Sequence, residues 1–263
     1  TSIGKYGNKG NLGSPYAIKN PYKIDERLAD PLSNLDEEEQ FKALVEAAHI
    51  LGMRVVLEFI FRTASKDADW IKEKPEWFYW LDKTIEDKEY TSPYFSEEEL
   101  KDIYKIPEGK GKHIAPSKEY RDKFIVPPKK ENIIDTGSAI IGKLDSGVEG
   151  KIAGAFADWP PDDIQPAWSD VTYLRMYNYD FEAENNFNYI AYNTIRYYDP
   201  QLATSENANT ELWDRVKNII PHYQKDFGID GVMIDMGHAL PSKLKQQMIN
   251  LCRDIDSDFA FWD

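Results

Sequence analysis

Apolar positions fall into two regular blocks with an irregular stretch between them. In the first block, Phe41, Leu44, Val45, Ala48 and Leu51 recur at helical spacing, which predicts a helix over 36–51 with one apolar face. Asn34 or Ser33 is placed to cap it. Asp36, Glu37, Glu38 and Glu39 suit the positive end of its dipole, and Gly52 ends it. Residues 54–61 follow as a nearly unbroken apolar, β-branched run, interrupted by Glu58, which predicts a strand buried on both faces. The segment before this block, 1–34, reads as a loop. Glycines punctuate it, and Pro15, Pro21 and Pro31 forbid a long helix.

Order returns at 168–171. Residues 182–198 carry Phe187, Ile190, Ala191, Thr194 and Tyr198 on one helical side, stopped by Asp199-Pro200. A second helix is expected at 210–227, capped by Asn209, ended by Gly228 and kinked at Pro221. A third is expected at 241–255, with Pro241 in its first turn and Leu244, Met248 and Leu251 inward. Between and after them, 229–235 and 259–262 read as strands. Helices alternating with apolar strands imply a parallel α/β sheet with crossover helices. The stretch 64–168 mixes Lys, Glu, Pro, Gly and Tyr without long periodicity, and only 132–134 and 140–144 look like short strands. It is too long for an ordinary connection and reads as an insertion, which divides the chain into 1–63, 64–168 and 169–263.

Composition narrows the function. Acidic residues outnumber basic ones, 46 to 32, for a net charge of −14, which disfavours nucleic acid as a partner. No apolar run approaches a membrane span. A single cysteine, Cys252, excludes an intrachain disulfide and points to a reducing, cytoplasmic setting. Aromatic residues make up 13% of the chain and can stack on sugars, bases or other flat faces. The chain opens on Thr1 rather than Met and closes inside the apolar run 259–262, so it is expected to be a piece of something larger.

Functional groups of parallel α/β sheets gather at the carboxyl ends of strands. Three places answer to that rule. Asp235 ends the strand 229–235, and His238 follows three residues later. That carboxylate can attack a carbon electrophile, bind a metal, accept a proton or simply cap the next turn. Glu58 is an acid inside an apolar strand, and either an ion pair with Arg62 or a ligand contact satisfies it. Gly13-Ser14-Pro15-Tyr16-Ala17-Ile18 is a rigid turn presenting one aromatic, whose alternative is a core tyrosine.

At these three segments the sequence resembles the α-amylase superfamily of glycoside hydrolases and transglycosylases. Residues 231–238 look like its catalytic-aspartate motif at strand four, 54–63 like its strand-three motif, and 13–22 like its loop after strand two. The resemblance implies a partial (β/α)8 TIM barrel, with 64–168 as the domain inserted after the third strand and 259–263 as the start of the fifth. Within the superfamily the likeness is greatest to bacterial maltosyltransferases, in residues 13–18, in Pro75-Glu76-Trp77-Phe78 and in the Asp-x-x-His spacing at 235–238. The maltodextrin-disproportionating enzyme is the best fit, with the maltose 1-phosphate-using enzyme second.

The resemblance implies a retaining double displacement, with Asp235 as nucleophile and a glutamate beyond 263 as acid and base. Tyr16, Glu58, Arg62, Trp77 and His238 are implied at the substrate, with Tyr16 beneath the sugar and His238 near its hydroxyls. Maltooligosaccharides or α-glucan are the implied partners, no cofactor is needed, and the whole enzyme is open to forming a homo-oligomer. Three departures stand out. Met233 replaces the arginine that normally accompanies the aspartate, and Arg62 is the expected substitute. Arg62 and Thr63 replace the Asn-His pair of strand three, so no calcium is expected there. The acid–base glutamate of strand five is expected beyond 263, so the piece alone is expected to be inactive. Inserted aromatics such as Trp70, Trp77 and Trp80 are candidates for sugar subsites, and Lys5, Lys9 and Lys19 for a phosphate. Two other readings stay open: an inactive barrel that binds carbohydrate, and an unrelated α/β metal enzyme using Asp235 and His238.

Overall fold

The structure, a computed structural model, describes residues 2–7, 14–90, 96–103, 105, 118–155, 169–178, 204–237 and 240–262. In chain order the elements begin with β1 (Gly4–Gly7), β2 (Ser14–Ile24), α1 (Glu37–Ile50) and β3 (Val56–Ile60). Next come β4 (Thr63–Ser65), α2 (Asp69–Glu73), β5 (Trp80–Asp82), α3 (Glu97–Ile103) and α4 (Lys118–Arg121). These are followed by β6 (Phe124–Ile125), β7 (Ile133–Asp135), β8 (Ile140–Lys143), β9 (Glu149–Ile152) and β10 (Val171–Tyr173). The last are α5 (Thr210–Lys217), α6 (Ile219–Phe227), β11 (Gly231–Asp235), α7 (Ser242–Arg253) and β12 (Ala260–Trp262). They form two units, one from Thr1–Arg62 and Thr210–Asp263, the other from Thr63–Asn209. The helix expected at 182–198 lies outside the described residues.

The first unit is α/β. Its sheet has the order β12-β11-β3, and both pairings are parallel. Glu58 stands opposite Met233, and Ile60 opposite Asp235. Asp230 sets this register from below the strands. Its carboxylate accepts from the Val55 N–H at 2.7 Å and meets His49 Nε2 at 2.9 Å. Leu57, Phe59, Val232 and Ile234 are buried, and Phe59 meets Tyr223 of α6 edge-on at 5.1 Å. The alternate positions behave differently: Met233 is 40% exposed and Trp262 54%. The expectation of strands buried on both faces is therefore corrected. The apolar run fixes what the strand carries on each face, but not whether a neighbour covers it.

Local chemistry accounts for the helices. The N-cap of α1 is Asp36, which accepts from the Glu39 N–H while Glu39 returns a bond to the Asp36 N–H. That reciprocal capping box outcompetes Ser33 and Asn34, the caps expected from sequence. Val45 and Ala48 are buried, whereas Leu44 and Leu51 stand exposed, so the buried stripe is narrower than the apolar one. The helix expected over 210–227 is two helices broken at Asn218. Pro221 cannot donate to the preceding turn, so it sits in the first turn of α6, where no donor is needed, rather than at a kink. Gly228 closes α6 in the left-handed region at φ 74°, as a C-cap glycine does.

Residues 1–34 are not all loop. β1 and β2 pair antiparallel with repeated register shifts. Pro15 and Pro21 lie within β2, where an irregular two-stranded ribbon tolerates missing donors. β2 is tied to the helices at Tyr22. Its hydroxyl donates to the Arg215 carbonyl at 2.6 Å, and its carbonyl lies 3.1 Å from His222 Nε2.

The second unit is built on a five-stranded antiparallel sheet of order β6-β5-β9-β8-β7, with a separate β4–β10 pair. Its core is aromatic: Trp77, Phe78, Tyr79 and Trp80 are all buried in succession. Trp70 and Trp77 meet edge to face at 5.6 Å, and the Trp80 indole N–H donates to the Pro75 carbonyl at 2.9 Å.

Candidate functional site

The carboxyl ends of β3 and β11 lie side by side because the strands run parallel and in register. Side chains of paired residues in a parallel ladder share a face, so Glu58, Met233 and Asp235 belong to the face that is not packed on α6. Glu58 and Asp235 are diagonal neighbours on it, a spacing of about 7–8 Å between their Cα atoms by ladder geometry. Both are half-buried. β11 stops at Asp235 because Met236 turns into the left-handed region, at φ 54°. A non-glycine residue there is uncommon, and it leaves the carboxylate on the last extended residue.

Tyr16, on β2, lies within electrostatic reach of both carboxylates. It is 43% exposed, so the core-tyrosine alternative fails. The negative charge of Glu58 first, then loss of hydration and the charge of Asp235, hold the phenol's proton on, above the ordinary tyrosine value. One electrostatic neighbourhood thus contains a presented aromatic and two carboxylates. Such a group can offer a ring face to a flat apolar ligand, an acceptor to its hydroxyls and a carboxylate to an electrophilic carbon.

Arg62 is buried, two residues beyond the end of β3. His238 lies outside the described residues. Trp77 is only 1% exposed and belongs to the second unit's core, so its ring has no free face for a sugar. The same holds for Trp70 and Trp80. These corrections share one cause: a tryptophan suits a sugar platform and a core equally, and packing alone separates them. Of the lysines considered for a phosphate, Lys5 pairs with Glu26 at 3.0 Å. Lys9 lies outside the described residues. The electrostatic coupling of Tyr16 to Glu58 had no signal in the sequence, since the two residues are 42 positions apart on strands that do not pair.

No family model matches the chain. A stretch of 68 residues, 26% of this chain, is 43% identical to an α-1,4-glucan:maltose-1-phosphate maltosyltransferase of Cereibacter sphaeroides, of which it covers 11%. A stretch of 69 residues is 41% identical to the enzyme of the same name from Arcanobacterium haemolyticum, covering 26% of this chain and 10% of that one. The matched sequence thus spans about a tenth of the curated relatives' length. Superposed on the crystal structure of an α-amylase from Lactobacillus plantarum, the chain gives a TM-score of 0.47 at 17% identity, over 99% of this chain and 35% of that one. Over about a quarter of its length, the chain resembles α-1,4-glucan:maltose-1-phosphate maltosyltransferases in sequence.

Proposed function

We propose that this chain is part of an α-1,4-glucan maltosyltransferase that works by a retaining double displacement. The observation that carries the reading is the pair Glu58 and Asp235 on one face of adjacent parallel strands, Asp235 at a carboxyl end, with the exposed Tyr16 phenol within their electrostatic reach. On this reading the sheet β12-β11-β3 is an arc of a (β/α)8 barrel. The face bearing Met233 and Asp235 is its interior, closed by strands elsewhere in the full-length protein. The Asp235 carboxylate attacks the anomeric carbon of a maltosyl donor and forms a glycosyl ester, while the leaving oxygen takes a proton from a carboxylic acid elsewhere in that protein. A glucan hydroxyl then displaces Asp235 with a second inversion, so the configuration is retained. The exposed ring of Tyr16 stacks beneath the sugar, and His238 lies near its hydroxyls. Arg62 is the cation we assign to keep Asp235 ionised in the absence of an arginine at Met233.

Two donors fit this chemistry. A maltodextrin is the one expected from the motifs. Maltose 1-phosphate is favoured by the matched relatives, which are named for it. The test is product analysis on the full-length protein carrying this sequence. With maltose 1-phosphate and a glucan acceptor, release of phosphate with chain growth supports the second donor. Redistribution of maltodextrins in two-glucose steps without phosphate supports the first. Release of free sugars alone turns the reading to an amylase-like hydrolase, and binding without turnover turns it to an inactive carbohydrate-binding barrel. Asp235→Asn should lower turnover by about 10⁴-fold, and a 5-fluoro glycosyl fluoride should label Asp235 as judged by peptide mass. Label on another residue would overturn the assignment.

A further inference from the structure

Tyr16 stands on β2, six residues before Tyr22. Its local hold is slight. It is 43% exposed, and its backbone N–H makes a long bond, 3.4 Å, to the Ser14 hydroxyl. Pairing with β1 adds little rigidity, because the register shifts between every successive pair. Tyr22, by contrast, is held at three points. Its N–H donates to Asn20 Oδ1 at 3.0 Å. Its hydroxyl donates at 2.6 Å to the carbonyl of Arg215, one of the last four of α5, which a helix leaves without an internal partner. Burial pushes that hydroxyl up to about 12, against the opposing charge of Arg215, so it stays a donor. Its carbonyl faces His222 Nε2 at 3.1 Å, and the two rings lie 5.4 Å apart, tilted by 49°. His222 is fixed in turn. Nδ1 meets the Asp226 carboxylate at 2.7 Å, and the ring packs edge-on against Tyr223 at 5.1 Å and Phe227 at 5.9 Å. With acceptors at both ring nitrogens, the imidazole donates to both when it carries both protons. Tyr223 is buried against Phe59, so the chain of contacts runs from β2 through α6 to β3, the strand that carries Glu58.

We infer that Tyr22 and His222 are positioning residues, which latch β2 onto α5 and α6 and so set where the Tyr16 ring stands. The inference rests on the maltosyl-transfer reading for its functional consequence, but the latch itself is independent of any reaction. A ring that serves as a platform under a sugar has to be held in place, since a displacement of about 1 Å is costly to catalysis. Loss of either end of the latch frees β2 to shift over the helices, while Asp235 stays where β11 puts it.

The test uses the full-length protein carrying this sequence. In Tyr22→Phe and in His222→Leu, amide hydrogen exchange read by peptide mass should quicken across residues 14–24 and stay unchanged in β3 and β11. Unchanged exchange in β2 overturns the latch. In kinetics, Tyr22→Phe should lower kcat/KM about tenfold in the otherwise wild-type protein, yet by less than about twofold in a Tyr16→Ala background, because the latch acts through that ring. A contribution to stability alone would lower both by the same factor, and that outcome overturns the positioning role. His222→Gln keeps an N–H donor for the Tyr22 carbonyl and should recover most of the loss seen in His222→Leu. Equal losses in the two variants would overturn the part assigned to His222. If no donor is turned over, the maltosyl-transfer reading fails, and hydrogen exchange still decides the latch.

Discussion

Asp25 shows how one residue anchors a ribbon. It is buried at the end of β2, where burial alone would push its carboxyl up. Three bonds from Arg27 (Nε at 2.7 Å, Nη2 at 2.7 Å and backbone N–H at 2.9 Å) and one from the Tyr6 N–H at 2.8 Å outweigh that. The result is a carboxyl held at about 2, below its ordinary 3.8. A carboxyl held low adds stability that is present in full above its unfolded value and lost as pH falls through its folded one. Asp25→Asn should therefore cost about 2 kcal/mol at neutral pH, with the gap to wild type closing as pH approaches 2, measured by urea unfolding across acid pH. A constant gap across that range would show that the charge is not what stabilises the ribbon. Asp25 and Arg27 are two positions apart, so their pairing was open to a sequence reader. The partner on Tyr6 was not, because it depends on β1 folding back over β2.

At the element scale, β11 and β12 approach each other more closely than side chains ordinarily allow. A Cβ on Gly231 would lie 2.9 Å from both the Cβ and the carbonyl oxygen of Ala260. Gly231→Ala should then cost about 1–3 kcal/mol and weaken the β11–β12 pairing first, visible as faster amide hydrogen exchange at β12. Equal exchange in both proteins would argue against the close approach. The regular elements were largely legible: the helix ending at Gly228, the strand ending at Asp235 and the crossover pattern all follow from periodicity and caps. The errors cluster where that signal is ambiguous. A proline inside a helical pattern located the break three residues late, since its missing donor acts on the turn before it. Prolines and glycines at the start of the chain suggested loop, yet a two-stranded ribbon forms there because strand pairing needs a partner, not an uninterrupted run.

For the molecule as a whole, the decisive distinction lies between a tryptophan that binds and one that packs. Trp77 lies at the centre of the second unit, so Trp77→Ala should destabilise that unit by about 3–5 kcal/mol in urea. Affinity for maltooligosaccharide in the protein that stays folded should be unchanged. A selective loss of sugar binding at unchanged stability would return Trp77 to the site. Among the described residues no helix is long and apolar enough to cross a membrane. What the sequence determined by itself is the α/β alternation, the acid at the end of β11 and the motif order that resembles a maltosyltransferase, because periodicity, caps and short motifs are properties of neighbouring residues. Only the tertiary structure decided that Tyr16 is open and lies in the field of Glu58 and Asp235, that one face of the parallel sheet carries exposed Met233 and Trp262, and that the inserted tryptophans are core. Each of those outcomes depends on which distant surface a side chain meets, and that free energy is written in packing rather than in spacing.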